Sequence, residues 1–424
     1  MHLTPYVPTD NTVGTVDPLG SMRPFGILAD QLFRQFTILT HHPGYHGFLC
    51  FALQYIADNR RLTNSRPLGR AVREIEILWG LINCLAGDSI LNTMKFGPLI
   101  ERACFRYKDC LKDRRLFDRL PYGALGHYTG PSRYWGLLND RAGGLEENGR
   151  HLASAWGRRG VRPFERLLTD WLDNHTPADG ENFIQLCRDY EDYALSQPAS
   201  AEEQAAWVRI IKDYCRSRPL AAPLWGRPVS REMLPDNFDI LNYQDYFAGL
   251  INHYQDQEEL TLNLIVCQRF EELIGLAQTV FNWEYARCLP VDLGDFSGVK
   301  TRLVDLAGEI APDYLQAVSD ARLPLNYTLA RGLTGVKDYG SMAQAVLEHH
   351  SAHQRNKGGF PYFSDGRILI QGRVDPEDML DHLTSLRDHP DQARSLVAAY
   401  QARDWHFGKA LFWLAYAGEE YVVV

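Results

Sequence analysis

The chain has no long apolar run, no paired cysteines and no glycine-rich phosphate signature, and each absence removes a class of function. No apolar stretch in the 424 residues approaches the roughly 20 needed to cross a bilayer. The start, MHLTPYVPTD, shows neither the basic nor the apolar region of a secretory signal, so a water-soluble, cytoplasmic protein with no membrane partner is expected. Cysteines stand at Cys50, Cys84, Cys104, Cys110, Cys187, Cys215, Cys267 and Cys288 without any Cys-x-x-Cys pair, which argues against a structural zinc site and a disulfide framework. They read as reduced thiols among apolar residues. A Gly-x-Ser-x-Gly elbow, a Walker A loop, a Gly-x-Gly-x-x-Gly turn after a strand and a His-Glu-x-x-His helix are all missing. No repeat of the roughly 34- or 40-residue kind occurs, so a helical solenoid is not expected.

What is present is ordinary globular composition, 45% hydrophobic and 23% charged, enough to bury a large core in two or three domains. The densest pattern is Asp17–Ile56. Phe25, Leu28, Ala29, Leu32, Phe33 and Phe36 recur at helical spacing and predict a helix from about Pro24 to Phe36. After a Pro43-Gly44 turn signal, Phe48, Leu49, Phe51, Ala52, Tyr55 and Ile56 predict a second, buried helix. His41, His42 and His46 lie between the two. Ala71–Leu85 predicts a third helix and Pro98–Leu116 a fourth.

Next, Tyr134–Leu138, the turn Asn139–Gly144 and a helix over Leu145–Trp156 follow in the order of the recognition helix and wing of winged-helix modules. Phe164–Cys288 is helical pattern interrupted at Pro177–Gly180, Pro198–Ser200 and Pro219–Pro235, with Asp189–Tyr193 read as a helix surface. Toward the end, Ser364-Asp365-Gly366-Arg367 is a turn between Phe360–Phe363 and Ile368–Gln371, predicting a hairpin. The expected fold is mainly α, multi-helical, with a winged-helix-like unit near 95–160 and one small C-terminal β-hairpin. Three consecutive domains are expected: 1–162, 163–289 and 290–424.

The net charge of −9 is unevenly spread. From Lys95 to Arg162 there are fourteen Lys/Arg against seven Asp/Glu, a surplus of +7 that leaves −16 for the remainder. Such a segment suits an acidic partner, because phosphate contacts dominate nucleic-acid affinity. Arg102, Arg106, Lys112, Arg114, Arg115, Arg158 and Arg159 are the candidate contacts to double-stranded DNA. His349 and His353, four apart on one helix face, are candidate metal ligands with Asp365 from the hairpin turn as the third, and Lys357 stands near to hold a phosphate. The carboxylate sets Asp236, Asp239, Asp245 and Glu258, Glu259, Glu271, Glu272 lie in charged helical surroundings and are not read as catalytic.

Residues Gly20–Ile56, with Arg23-Pro24, Leu28-Ala29-Asp30, Phe33, Thr37–Thr40, Tyr45 and Phe48–Cys50, together with the Arg73-Glu74-x-Glu76 helix, carry a family resemblance. The stretch from about 17 to 90 resembles uncharacterised helical proteins of bacterial phage-defence islands, with a looser echo near 347–371. It departs from their pattern at His41-His42-Pro43, where arginines are usual. The resemblance implies a setting, a multi-protein antiviral defence assembly with an ATPase or nuclease alongside, and carries no catalytic residues to transfer. The leading expectation is therefore a non-enzymatic accessory or scaffold subunit that needs no cofactor. A metal-dependent phosphohydrolase or nuclease is one alternative, and a purely protein-docking structural subunit is the other.

Overall fold

The computed structural model describes residues 17–36, 42–59, 67–88, 124–140, 144–173, 185–225, 243–289, 294–364, 367–368, 376–399, 405 and 407–418. These are mainly helical, as the apolar spacing predicts. The chain divides into two units, each discontinuous in sequence: Met1–Gln31 with Val229–Trp405, and Leu32–Pro228 with His406–Val424. This differs from three consecutive segments. The proline and glycine breaks separate helices, whereas the packing partners of each terminus come from the other end of the chain.

In the Leu32–Pro228 unit, α2 (Gly44–Asp58) is apolar nearly all round, with residues from Gly44 to Ile56 buried on every face. A helix with no polar face must sit among others. Around it pack α3 (Leu68–Leu85), α4 (Ala124–Tyr134) and α5 (Glu147–Gly157). Gly47 makes the closest approach possible, since a Cβ there would lie 2.5 Å from Cδ1 of Trp156. Phe48 stacks on Trp79 with ring centroids 4.3 Å apart. Pro43 stands in the expected turn as the N-cap of α2, which begins at Gly44, and its torsions are already helical (φ −58°, ψ −33°).

The same unit continues through α6 (Phe164–Asp173), a single 3-10 turn at Glu191–Tyr193, α7 (Ala201–Ser217) and α8 (Ala222–Trp225). Asp189–Tyr193 is thus not a helix surface. Tyr190 and Tyr193 are buried, and the Tyr193 hydroxyl donates to the Gly157 carbonyl at 2.8 Å while accepting from the Phe164 amide at 3.0 Å. Ser200 caps α7 by accepting from the Glu203 amide. Between α4 and α5 an isolated antiparallel bridge joins Leu138 and Leu145. The expected helix at Pro98–Leu116 lies outside the described residues.

In the other unit, the long helix α10 (Glu258–Ala286) is the axis, 29 residues or about 43 Å at 1.5 Å per residue. It packs against α9 (Tyr243–His253), α11 (Ser297–Asp320), α13 (Tyr339–Asn356), α14 (Pro376–Asp388) and α15 (Ala393–Ala399), with the short α12 (Thr328–Leu333) lying between α11 and α13 in sequence. Gly275 faces the backbone of Val397 so closely that a Cβ would overlap the Val397 carbonyl oxygen. The first helix, α1 (Met22–Phe33), contributes its residues up to Gln31 here, and α16 (Phe407–Tyr416) belongs to the first-described unit. Two residues of antiparallel pairing, Phe363 with Ile368 and Ser364 with Arg367, stand where the sequence predicts a hairpin. Asp365 and Gly366 of the expected turn, and the stretch 369–371, lie outside the described residues.

Candidate functional site

Asp17–Ser21 and α13 are brought together within one unit, although they are more than 300 residues apart. Asp17 caps α1: its carboxylate accepts from the Ser21 amide at 2.8 Å, the Ser21 hydroxyl at 2.9 Å and the Met22 amide at 3.0 Å. Those bonds satisfy donors that a helix start leaves without intrahelical partners. Gly20, at φ +66°, then lets the chain turn under the His353 ring, where a Cβ would lie 2.5 Å from Nδ1.

The helix opposite is held at its own start by a capping box, with the Asp338 side chain accepting from the Ser341 amide at 2.8 Å. Its histidines read the turn's carbonyls. His349 Nε2–H donates to the Leu19 oxygen at 2.8 Å, an acceptor shared with the Tyr327 hydroxyl at 2.8 Å. His350 Nδ1–H donates to the Pro18 oxygen at 2.8 Å, and its Nε2 accepts from the Tyr362 amide at 2.9 Å. Burial pushes His350 down to about 4 and lowers His349 as well, so both rings are neutral at pH 7 and each tautomer follows from the carbonyl it serves.

This arrangement bears on the metal reading. His349 and His353 do share a face, with parallel rings 6.5 Å apart at 6°. Both nitrogens of His349 are occupied, however, Nε2 by Leu19 and Nδ1 by the Thr328 hydroxyl at 3.2 Å. A metal would have to displace the Leu19 bond or the Thr328 bond. Asp365 lies outside the described residues, and among the described residues no three His, Cys, Asp or Glu form a group that could hold a metal ion. The i, i+4 spacing puts the two rings on one helix face; residue type does not show that a distant turn takes one of them.

Beside this junction lies an open cleft of about 750 Å³. Met22, Ile27 and Pro324 give it an apolar wall, while Arg23, Asn356 and Lys357 supply polar heads. His353 lines it too, and its Nε2 is buried without a hydrogen-bond partner.

The candidate nucleic-acid contacts fall in the other unit. Arg102, Arg106, Lys112, Arg114 and Arg115 lie outside the described residues. Arg158, just past α5, is exposed. Arg159 is a correction: its side chain is 1% exposed, it faces the fully buried Glu203 at 3.8 Å, and it donates to the Gln197 carbonyl and the Tyr416 hydroxyl. A guanidinium enclosed in this way does not reach a phosphate. Burial raises the Glu203 carboxyl, and the nearby Arg159 charge opposes that rise.

Four further residues singled out in the sequence, His42, His46, Glu271 and Glu272, make internal hydrogen bonds, and Asp236 and Asp239 lie outside the described residues. His42 accepts from the Gly44 amide through Nδ1 at 3.0 Å, and His46 is buried against the Ser132 hydroxyl at 2.7 Å; His41 lies outside the described residues. Glu271 accepts from the Trp405 indole at 2.9 Å, and Glu272 from Arg269 and Arg394. Cys50, Cys187, Cys215 and Cys267 are free and buried. Among the described residues no helix is long and apolar enough to cross a membrane. No family model, no curated protein and no solved structure matches this chain.

Proposed function

We propose that the chain is a non-enzymatic, helical accessory or scaffold subunit of a bacterial antiphage defence assembly, and that it contacts DNA or a DNA-bound partner through its basic segment. The observation that carries this is the +7 surplus between Lys95 and Arg162 in the sequence, with several of its arginines exposed among the described residues. Arg133, Arg150 and Arg158 are exposed along α4, the Leu138–Leu145 bridge and α5, and none has a carboxylate partner among the described residues. Arg133 and Arg150 donate instead to the Asn139 and Leu145 carbonyls, which orients a guanidinium without neutralising it. The helix, bridge and helix here are read as a winged-helix-like unit, and they adjoin the arginine-rich stretch that carries most of the +7 surplus.

The phosphohydrolase alternative is the weaker reading because His349, its first ligand, is held by Leu19 and Thr328. The test is an electrophoretic shift of a short duplex at low salt, with wild type and an Arg133→Gln, Arg150→Gln, Arg158→Gln variant. A shift that weakens in the variant supports DNA contact. An unshifted duplex together with a co-purifying protein moves the reading to protein docking.

A further inference from the structure

We propose that the cleft beside α1 and α13 binds a small phosphate monoester carrying a ring or other apolar group. Size sets the class first. About 750 Å³ lies within the range of small-molecule sites, roughly 300–1,000 Å³, and is too small for a duplex or a folded partner.

Charge sets the chemistry. Arg23, in the first turn of α1, and Lys357, at the C-cap of α13, both line the cleft, so two cations from two different helices border one space. Arg23 is exposed and forms no ion pair among the described residues. One carboxylate, Asp17, also lines the cleft and accepts from the Ser21 and Met22 amides, so the lining carries two cations against one anion. An ester dianion matches two cations, and the planar guanidinium can take two of its oxygens at once. The larger cleft of the same unit, about 850 Å³, holds two carboxylates, Glu284 and Glu348, beside its cations, and Glu284 is already paired with Arg287 at 2.9 Å.

The rest of the lining selects an organic body. Met22 is 43% exposed, a large apolar side chain left facing solvent, and with Ile27 and Pro324 it forms a wall that an anion alone would not use. Asn356 offers a side-chain amide for a ligand's polar edge. This site is independent of the DNA-contacting segment, which belongs to the other unit.

The experiment is calorimetric titration of the full chain with adenosine 5′-monophosphate and with phenyl phosphate, using adenosine and inorganic phosphate as controls. Binding of at least one ester, tighter than either control, is expected. Arg23→Gln and Lys357→Gln should each weaken it roughly tenfold or more, since each removes a charge-assisted hydrogen bond. Ala352→Trp, at an exposed lining position, should block the cleft while leaving both cations in place. All three variants alter solvent-facing side chains, and an unchanged thermal midpoint confirms that they fold. Absence of binding by both esters, inorganic phosphate binding as tightly as the esters, or full affinity in the Ala352→Trp variant would each overturn the proposal.

Discussion

His349 Nε2 sits 2.8 Å from the carbonyl oxygen of Leu19, 330 residues earlier in the chain, and that bond ties the start of α1 to α13. His349→Ala leaves the Leu19 oxygen with the Tyr327 hydroxyl alone and removes a partly buried ring. The expected loss is about 1–3 kcal/mol in urea unfolding. A loss below about 0.5 kcal/mol, the size of an ordinary surface substitution, would show that the bond does not hold the turn.

Because the imidazole nitrogens of His349 are already occupied, zinc or manganese should leave the thermal midpoint of the wild-type chain unchanged. A ligand that binds only the folded state raises that midpoint with concentration. A rise that vanishes in a His349→Ala, His353→Ala variant would restore the metal reading.

Acid should destabilise the protein earlier than its carboxylates alone require. Burial pushes His350 and His382 down to about 4 and His46 to about 3, so the folded chain keeps them neutral while the unfolded chain protonates them near 6.5. Their contribution is complete above about pH 6.5 and is lost as the pH falls toward 4, because there the unfolded state binds protons that the native state refuses. Denaturation midpoints measured from pH 7 to pH 4.5 should fall steeply, and the fall should be shallower in His350→Gln. Equal slopes would remove His350 from the account.

Two glycines should respond in opposite directions to alanine. Gly275→Ala drives a Cβ into the Val397 carbonyl between α10 and α15, where neither backbone can yield easily, and should cost about 1–3 kcal/mol or more. Gly308→Ala on α11 meets nothing within 4 Å and should stabilise by about 0.5–1 kcal/mol through helix propensity. Thermal unfolding of both variants checks the pair.

The helices were legible because buried faces repeat at 3.6 residues, and α2 and α3 stand close to where that spacing puts them. Local signals failed where long-range packing decided the outcome. The Asp189–Tyr193 run ends in a 3-10 turn, where Gly157 and Phe164 engage the Tyr193 hydroxyl. Neighbouring arginines at 158 and 159 look alike in sequence, yet one faces solvent and the other faces Glu203, whose burial only the packing of α7 reveals. The Asp17–Leu19 carbonyls were invisible as partners of the histidines, since backbone oxygens leave no trace in residue type.

That difference between neighbours makes a direct comparison. Arg159→Gln strips the buried Glu203 of its counter-charge and should cost about 3–5 kcal/mol of stability. Arg158→Gln should leave stability within about 0.5 kcal/mol, as exposed substitutions do, while weakening DNA binding. Chemical denaturation and a duplex-binding assay on both variants separate a folding role from a contact role.

The central claim, phosphate contact through the basic segment, is tested most directly by the salt dependence of duplex binding. Fluorescence anisotropy across about 50–200 mM salt should give a linear fall of log affinity with log salt, with a slope of roughly −0.9 per phosphate neutralised. In a variant with Arg102, Arg106, Lys112, Arg114, Arg115 and Arg158 all changed to Gln, the slope should shrink by several units and low-salt affinity should collapse. A wild-type chain that leaves the duplex unbound at 50 mM salt, or a variant that keeps the full slope, would contradict the account.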